Sequence, residues 1–200
     1  MKNNYPIYDE AIVISMPIFE NLREMARMTR HDKIETRAQF YGNGNSLFCA
    51  TDINGVESNR RTDTERILDF YLNYCGDASD KLILDAHTHL IRMELDSTEV
   101  YTDDDYRRFT SSDVVLHVQR AKKLRENGAR YLSAVIGCDS DRGSATLSIV
   151  GINENNEIYH PSTLRVVDEN GANIGALKTN PAGIMLLEDF GQTTKLDTVA

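Results

Sequence analysis

Lys81–Leu90 reads KLILDAHTHL, an apolar run that delivers two histidines, His87 and His89, separated by one residue. Residues two apart on an extended strand point to the same face, so both imidazoles converge on one point in space. Two adjacent imidazoles buried for packing alone would each need a hydrogen-bond partner. Neutral imidazole is a preferred zinc ligand, and the strand end therefore reads as half of a metal site.

Outward from this strand, helices and strands interleave. Ser15 is a plausible N-cap, Pro17 sits in the first turn, and Ile18, Leu22 and Met25 recur at helical spacing, which predicts a helix from Ser15 to about Thr29. ETRAQFYG from Glu35 and SLFCATDI after Gly42 and Gly44 read as a hairpin. Thr62 with Glu65 makes a capping-box pattern ahead of Ile67, Leu68, Tyr71, Leu72 and Cys75, a second helix that stops at Gly76. Thr110, Ser111, Ser112 and Asp113 open a third helix ending near Gly128. RYLSAVIG and ATLSIVGIN are strand-like, Glu157 to Pro161 adds a short strand, and the pattern weakens from Asp168 into a tail or appended hairpin.

The 200 residues, 40% hydrophobic and 26% charged, suffice for one substantial core. A net charge of -9 argues against nucleic acid as a partner, since phosphate neutralisation needs a basic face. No window approaches the roughly 20 apolar residues of a membrane span. The three cysteines, Cys49, Cys75 and Cys138, are odd in number and widely spaced, which fits reduced thiols. The expectation is a soluble, intracellular protein of the cytoplasm.

A hydrolytic zinc site uses three protein ligands, keeps one position for water, and needs a nearby base. Asp113 is the candidate third ligand, because backbone N–H groups and the helix dipole favour a carboxylate in a first turn. It also completes a variant capping box with Thr110, and spacing alone does not choose between the two roles. Glu35 is a candidate base, although a Glu at a hairpin edge is ordinarily just solvated.

Taken in order, these residues resemble the JAMM metalloproteases, also called MPN-plus domains. The resemblance covers roughly Ile12 to Val167 and rests on a glutamate after the first helix, in IETRAQFYG, then HTH at a strand end, then TSSD opening a later helix. It implies an α/β (mixed α+β) fold of the JAMM/MPN, cytidine-deaminase-like kind: a curved mixed β-sheet flanked by helices. It gives a domain over residues 1–167 with an insertion at 90–109, and a C-terminal extension over 168–200. It also implies Zn2+ held by His87, His89 and Asp113, Glu35 as the base that does not bind metal, and Thr110 helping to hold the oxyanion where the family has serine. The implied reaction is hydrolysis of a peptide or isopeptide bond in a protein or peptide substrate, commonly a ubiquitin-like conjugate. The chain departs from the family pattern at Thr36, Arg37 and Ala38, where many relatives have glycines. It departs again at Leu90, in place of a common proline, and in the insertion, which is either a solvated loop or a substrate-selecting lid.

Two alternatives stand beside this reading. A non-catalytic scaffold of the same fold would hold no metal. DAHTHL is also similar to the metal strand of amidohydrolase and TatD-type barrels, but only 111 residues follow His89, too few to complete a barrel of about 250 residues, and His31, His117 and His160 are poorly placed as further ligands.

Overall fold

The computed structural model describes residues 5–51, 53–55, 71, 80–90, 109–139 and 143–190. Apart from Tyr71, the helix expected over 62–76 lies outside these residues. So does the interior of the insertion, 91–108.

The HTH strand, β5 (Lys81–Leu90), is flanked on one side by β2 (Thr36–Asn43), antiparallel with Arg37 opposite His87. On the other side lies β6 (Ala129–Cys138), parallel with His87 opposite Val135. β6 leads to β7 (Ala145–Ile152), which runs antiparallel to it, and β2 leads through β3 (Ser46–Ala50) to β1 (Ile7–Ser15). β1 lies parallel to β8 (Ile158–Val167), and β8 meets β7 at Gly151↔Tyr159 and Ile152↔Ile158, so that seven strands form a closed barrel. β4 (Asn54–Gly55) adds to β2, β9 (Asn173–Lys178) to β8, and β10 (Met185–Leu186) to β7.

This closure corrects the expected architecture. The chain is not an open curved sheet flanked by helices in the JAMM/MPN, cytidine-deaminase-like manner. It is a barrel made mostly of strands, with two helices described from end to end, α1 (Met16–Asp32) and α2 (Ser111–Glu126). Two strands account for the difference. Ile7–Ser15, for which no strand was expected, is a nine-residue strand. The short strand expected to end at Pro161 continues to Val167. Together they bridge β3 to β7 and leave the ring no open edge. The ring is also unlike an eight-stranded parallel barrel, because β2–β5, β2–β3, β6–β7 and β7–β8 are antiparallel.

The largely apolar run of β5, broken by Asp85, follows from burial on both faces. Leu82, Leu84 and Ala86 point inward, where they join Ile12, Ile14, Phe40, Leu132 and Ile136 and the apolar stripe of α1, Ile18, Phe19, Leu22 and Met25. Ile83 points outward beneath α2 and packs with Tyr41, Tyr131, Ala121 and Leu124. Each fully buried Leu, Ile or Phe contributes on the order of 1.5–3 kcal/mol. The helix begins at Ser15 in extended conformation with Pro17 in its first turn, as the sequence predicts, and ends where Lys33 turns left-handed at φ 58°. The predicted hairpin is β2 and β3. It needs glycine at Gly42, because a Cβ there would lie 1.8 Å from the Ser46 carbonyl oxygen, beside a bulge between Tyr41 and Gly42. Among the described residues no helix is long and apolar enough to cross a membrane.

Candidate metal centre

β5 ends with His87 and His89 on the outer wall of the barrel and Thr88 between them facing in. The inward Thr88 hydroxyl lies 2.6 Å from the Thr29 hydroxyl of α1 and accepts the Thr36 backbone N–H at 2.7 Å. This buried hydroxyl cluster ties the end of β5 to the start of β2 and to α1.

Asp113 comes from α2, which lies across the same outer wall. Its position is fixed by the helix start. The Thr110 backbone N–H donates to Asp113 Oδ2 at 2.8 Å, the Thr110 hydroxyl donates to the same oxygen at 2.6 Å, and the Asp113 N–H donates back to the Thr110 hydroxyl at 3.3 Å. The two roles left open by spacing coexist in one side chain: Asp113 closes a capping box and faces both imidazoles.

The three groups form a triangle. His87 Nε2 and His89 Nε2 are 3.0 Å apart, His87 Nε2 lies 3.6 Å from Asp113 Oδ1, and His89 Nε2 lies 3.6 Å from Asp113 Oδ2. Zinc bound tetrahedrally at about 2.0–2.1 Å sets its ligand atoms roughly 3.3 Å apart; the nitrogen–nitrogen distance is somewhat shorter and each nitrogen–oxygen distance, measured to a different Asp113 oxygen, somewhat longer. The side chains are 23%, 13% and 19% exposed, sheltered yet reachable from solvent. Two imidazoles and one carboxylate make a group that could hold a metal ion. Burial raises the Asp113 pKa, but the His87 hydrogen bond and charge, the Thr110 hydrogen bond and the His89 charge outweigh it. The carboxyl is thus held well below the usual carboxylate range.

Glu35 is exposed and lies outside the triangle. It immediately precedes β2, two residues before Arg37, whose partner across the ladder is His87. Its charge also raises the pKa of the Cys138 thiol. That thiol is pushed to about 12 first by burial, and Cys138 pairs with Leu90 at the same end of the barrel. Thr110, expected to help hold an oxyanion, donates its hydroxyl proton to Asp113 Oδ2.

Sequence reasoning missed the charged cluster behind the triangle. Asp85, two residues before His87 on the same face and only 4% exposed, accepts two hydrogen bonds from Arg37, one through Nε at 2.8 Å and one through Nη2. It also accepts Arg120 Nη1 at 2.7 Å and the Tyr131 hydroxyl at 2.8 Å. Burial alone would raise its pKa, yet Arg37 and Arg120 hold it below the usual range. Arg120 stands two turns after Asp113 on α2, so Asp85 clamps the helix carrying the third ligand to the strand carrying the first two. The signal was legible: a lone aspartate inside an apolar strand demands a buried cation.

His117, also on α2, is 2% exposed, stacks on Tyr131 with ring centroids 5.4 Å apart, and makes no hydrogen bond through either ring nitrogen. Burial pushes its pKa down to about 4 and Arg120 adds to this, while the charge of Asp85 draws it partly back. An unfolded histidine titrates near 6.5, so between about 6.5 and 4 the unfolded chain takes up the proton first and folding stability falls as the pH falls. The unfolding free energy from urea titrations is expected to drop between pH 7 and pH 4.5, by up to roughly 3 kcal/mol from this residue. His117→Phe should flatten that slope, and an unchanged slope in the variant would remove His117 as its source.

No protein-family model and no curated protein matches the sequence.

Proposed function

We propose that the chain is a zinc-dependent hydrolase of a peptide or isopeptide bond, working with the residue set of the JAMM metalloproteases. The observation that carries this reading is the convergence of His87, His89 and Asp113 at spacings suited to one tetrahedral ion. It is the ordered set of side chains, and not the barrel, that supports the likeness.

When bound, zinc supplies Lewis acidity, bringing the pKa of a water near 7 and polarising the scissile carbonyl. His87 and His89 would hold the ion as neutral imidazoles, and Asp113 would contribute the single negative charge. Thr110 orients that carboxylate through its hydroxyl and backbone N–H. Glu35 accepts the proton of the attacking water at its carboxylate and returns it to the leaving amine. The Arg37–Asp85–Arg120 cluster keeps strand and helix in register while this happens. The substrate is a protein or peptide, with a ubiquitin-like conjugate the first to try. The reduced, buried thiol of Cys138 fits a reducing compartment, and the reading assigns the protein to the cytoplasm.

The test is a zinc-loaded assay against ubiquitin-like fusions and short peptides, with Glu35→Gln as control. The variant is expected to keep its zinc and lose roughly a hundred- to ten-thousand-fold in hydrolysis. Cleavage by the variant at the parental rate would remove Glu35 from the mechanism. A folded parent that takes up no zinc would favour a scaffold.

A further inference from the structure

Glu35 is exposed, and so are Lys33 and Ile34 before it. A three-residue surface connection between α1 and β2 offers little packing of its own to fix where its carboxylate stands. What holds it lies underneath. Lys33 is bound backward, its backbone N–H donating to the Thr29 carbonyl at 3.1 Å, and Thr36, the residue after Glu35, begins β2. Thr29 and Thr36 are buried, and they meet the buried Thr88 of β5.

Both flanks of the connection reach one hydroxyl. Thr88 Oγ1 accepts the Thr36 backbone N–H at 2.7 Å, and it lies 2.6 Å from Thr29 Oγ1 and 3.3 Å from Thr36 Oγ1. Thr36 Oγ1 in turn lies 3.3 Å from Thr29 Oγ1 and donates to the Met25 carbonyl of α1 at 3.3 Å. The three hydroxyls close a triangle drawn from the C-terminal half of α1, the first residue of β2 and the end of β5. Thr88 is also the residue between His87 and His89, with its side chain inward where theirs point outward. One buried group is therefore shared by the strand that presents both imidazoles and by the backbone on either side of Glu35. A buried donor left without its acceptor is costly, so the cluster resists rearrangement.

We infer that Thr88 is a positioning residue, whose hydroxyl sets where Glu35 stands relative to the paired imidazoles. Its catalytic consequence rests on the zinc-hydrolase reading above, whereas its structural consequence does not. Valine at position 88 keeps the branched shape and strand preference of threonine but offers the Thr36 N–H no acceptor, so the start of β2 parts from β5 and the connection loosens. Serine keeps the hydroxyl and so keeps the hold. The Thr88 side chain points away from the imidazoles, and neither change touches a metal ligand.

The experiment compares the parent with Thr88→Val, Thr88→Ser and Thr29→Val in the full chain. Backbone amide NMR relaxation of the metal-free proteins should show the order parameters of residues 33–35 falling in Thr88→Val from the rigid range, about 0.85, toward the flexible range below about 0.6. Thr88→Ser should match the parent, and Thr29→Val should fall between the two. In the zinc-loaded assay Thr88→Val should lower kcat roughly ten- to a hundredfold with KM within about twofold, and Thr88→Ser should restore it. In the Glu35→Gln background Thr88→Val should cost nothing further, since the group it positions is already gone, whereas a loss through general weakening of the fold would persist there. If Thr88→Val does not melt as a folded protein, Thr29→Val, which leaves the Thr36 N–H its acceptor, replaces it in both measurements with the same direction expected. Unchanged order parameters at residues 33–35 overturn the inference, and so does a Thr88→Val loss that adds in full to that of Glu35→Gln. A parent that takes up no zinc or cleaves nothing fails the hydrolase reading alone, and the relaxation measurement on metal-free protein then decides whether Thr88 holds Glu35 in place.

Discussion

His87→Ala is expected to leave chelator-free purification with no zinc, where the parent carries about one ion per chain. The reason is geometric. The proposed ion has three protein ligands, and removing one leaves a single imidazole and a carboxylate that the helix start already uses. The loss should be specific, because the His87 side chain is part-exposed at the strand end and no hydrophobic cluster includes it. Metal-free parent and variant should therefore melt together, within about 1 kcal/mol. Asp113→Ala should lose zinc as well, and in addition about 0.5–2 kcal/mol of stability from the missing cap. Metal analysis beside thermal melts of apo proteins separates these effects, and full zinc occupancy in His87→Ala would end the proposal of a metal centre at this strand end. Acid should act in the same direction on the apo protein. The Asp113 pKa is depressed on folding, so its contribution is complete above the unfolded value of about 4 and disappears only as the pH falls through the lower folded value.

Asp85→Ala is expected to cost about 3–5 kcal/mol, a large part of a typical domain's stability of 5–15 kcal/mol. The carboxylate is buried between two guanidinium groups that are themselves mostly buried, so its removal strands both charges and the Tyr131 hydroxyl. Asp85→Asn should fall between alanine and the parent, since an amide oxygen still accepts but carries no charge. The variant should also bind zinc more weakly, because Arg120 no longer holds α2 against β5. Urea unfolding of the metal-free proteins is the direct measurement. A loss below about 1 kcal/mol would mean that water reaches the cluster and that the clamp is of little consequence.

Parts of this site can be read without coordinates because their cause is local. Two histidines at strand period must share a face, and Thr110 with Asp113 must open a helix. The chemistry of zinc then relates the two. The barrel is a different matter. IYDEAIVIS carries Asp9 and Glu10 within a strand, and HPSTLRVV carries Pro161, which cannot donate to a ladder, so each is a weak strand signal alone. What makes them strands is each other: Ile7 pairs with His160 and Val13 with Arg165 across about 150 residues of chain, with a bulge between Tyr8 and Ala11 opposite the proline. No periodicity within either segment encodes that partnership, and without it the ring does not close. Asp85 lay within reach, because an isolated acid in an apolar strand has to be neutralised by something. The identity of its partners required the register of β2 and the rotation of α2.

The hydrogen bonds around Thr110 and Asp113 impose a correlation on sequence change. A single carboxylate both starts the helix and faces the histidines, so drift at position 110 or 113 cannot be neutral for one job while altering the other. Serine in place of Thr110 would preserve both. A bulky or apolar residue there would let the first turn fray and carry the third ligand away from its partners with no contact to the ion disturbed directly. Descendants that abandon the chemistry are thus expected to lose this helix start and the paired imidazoles together, leaving the barrel wall intact.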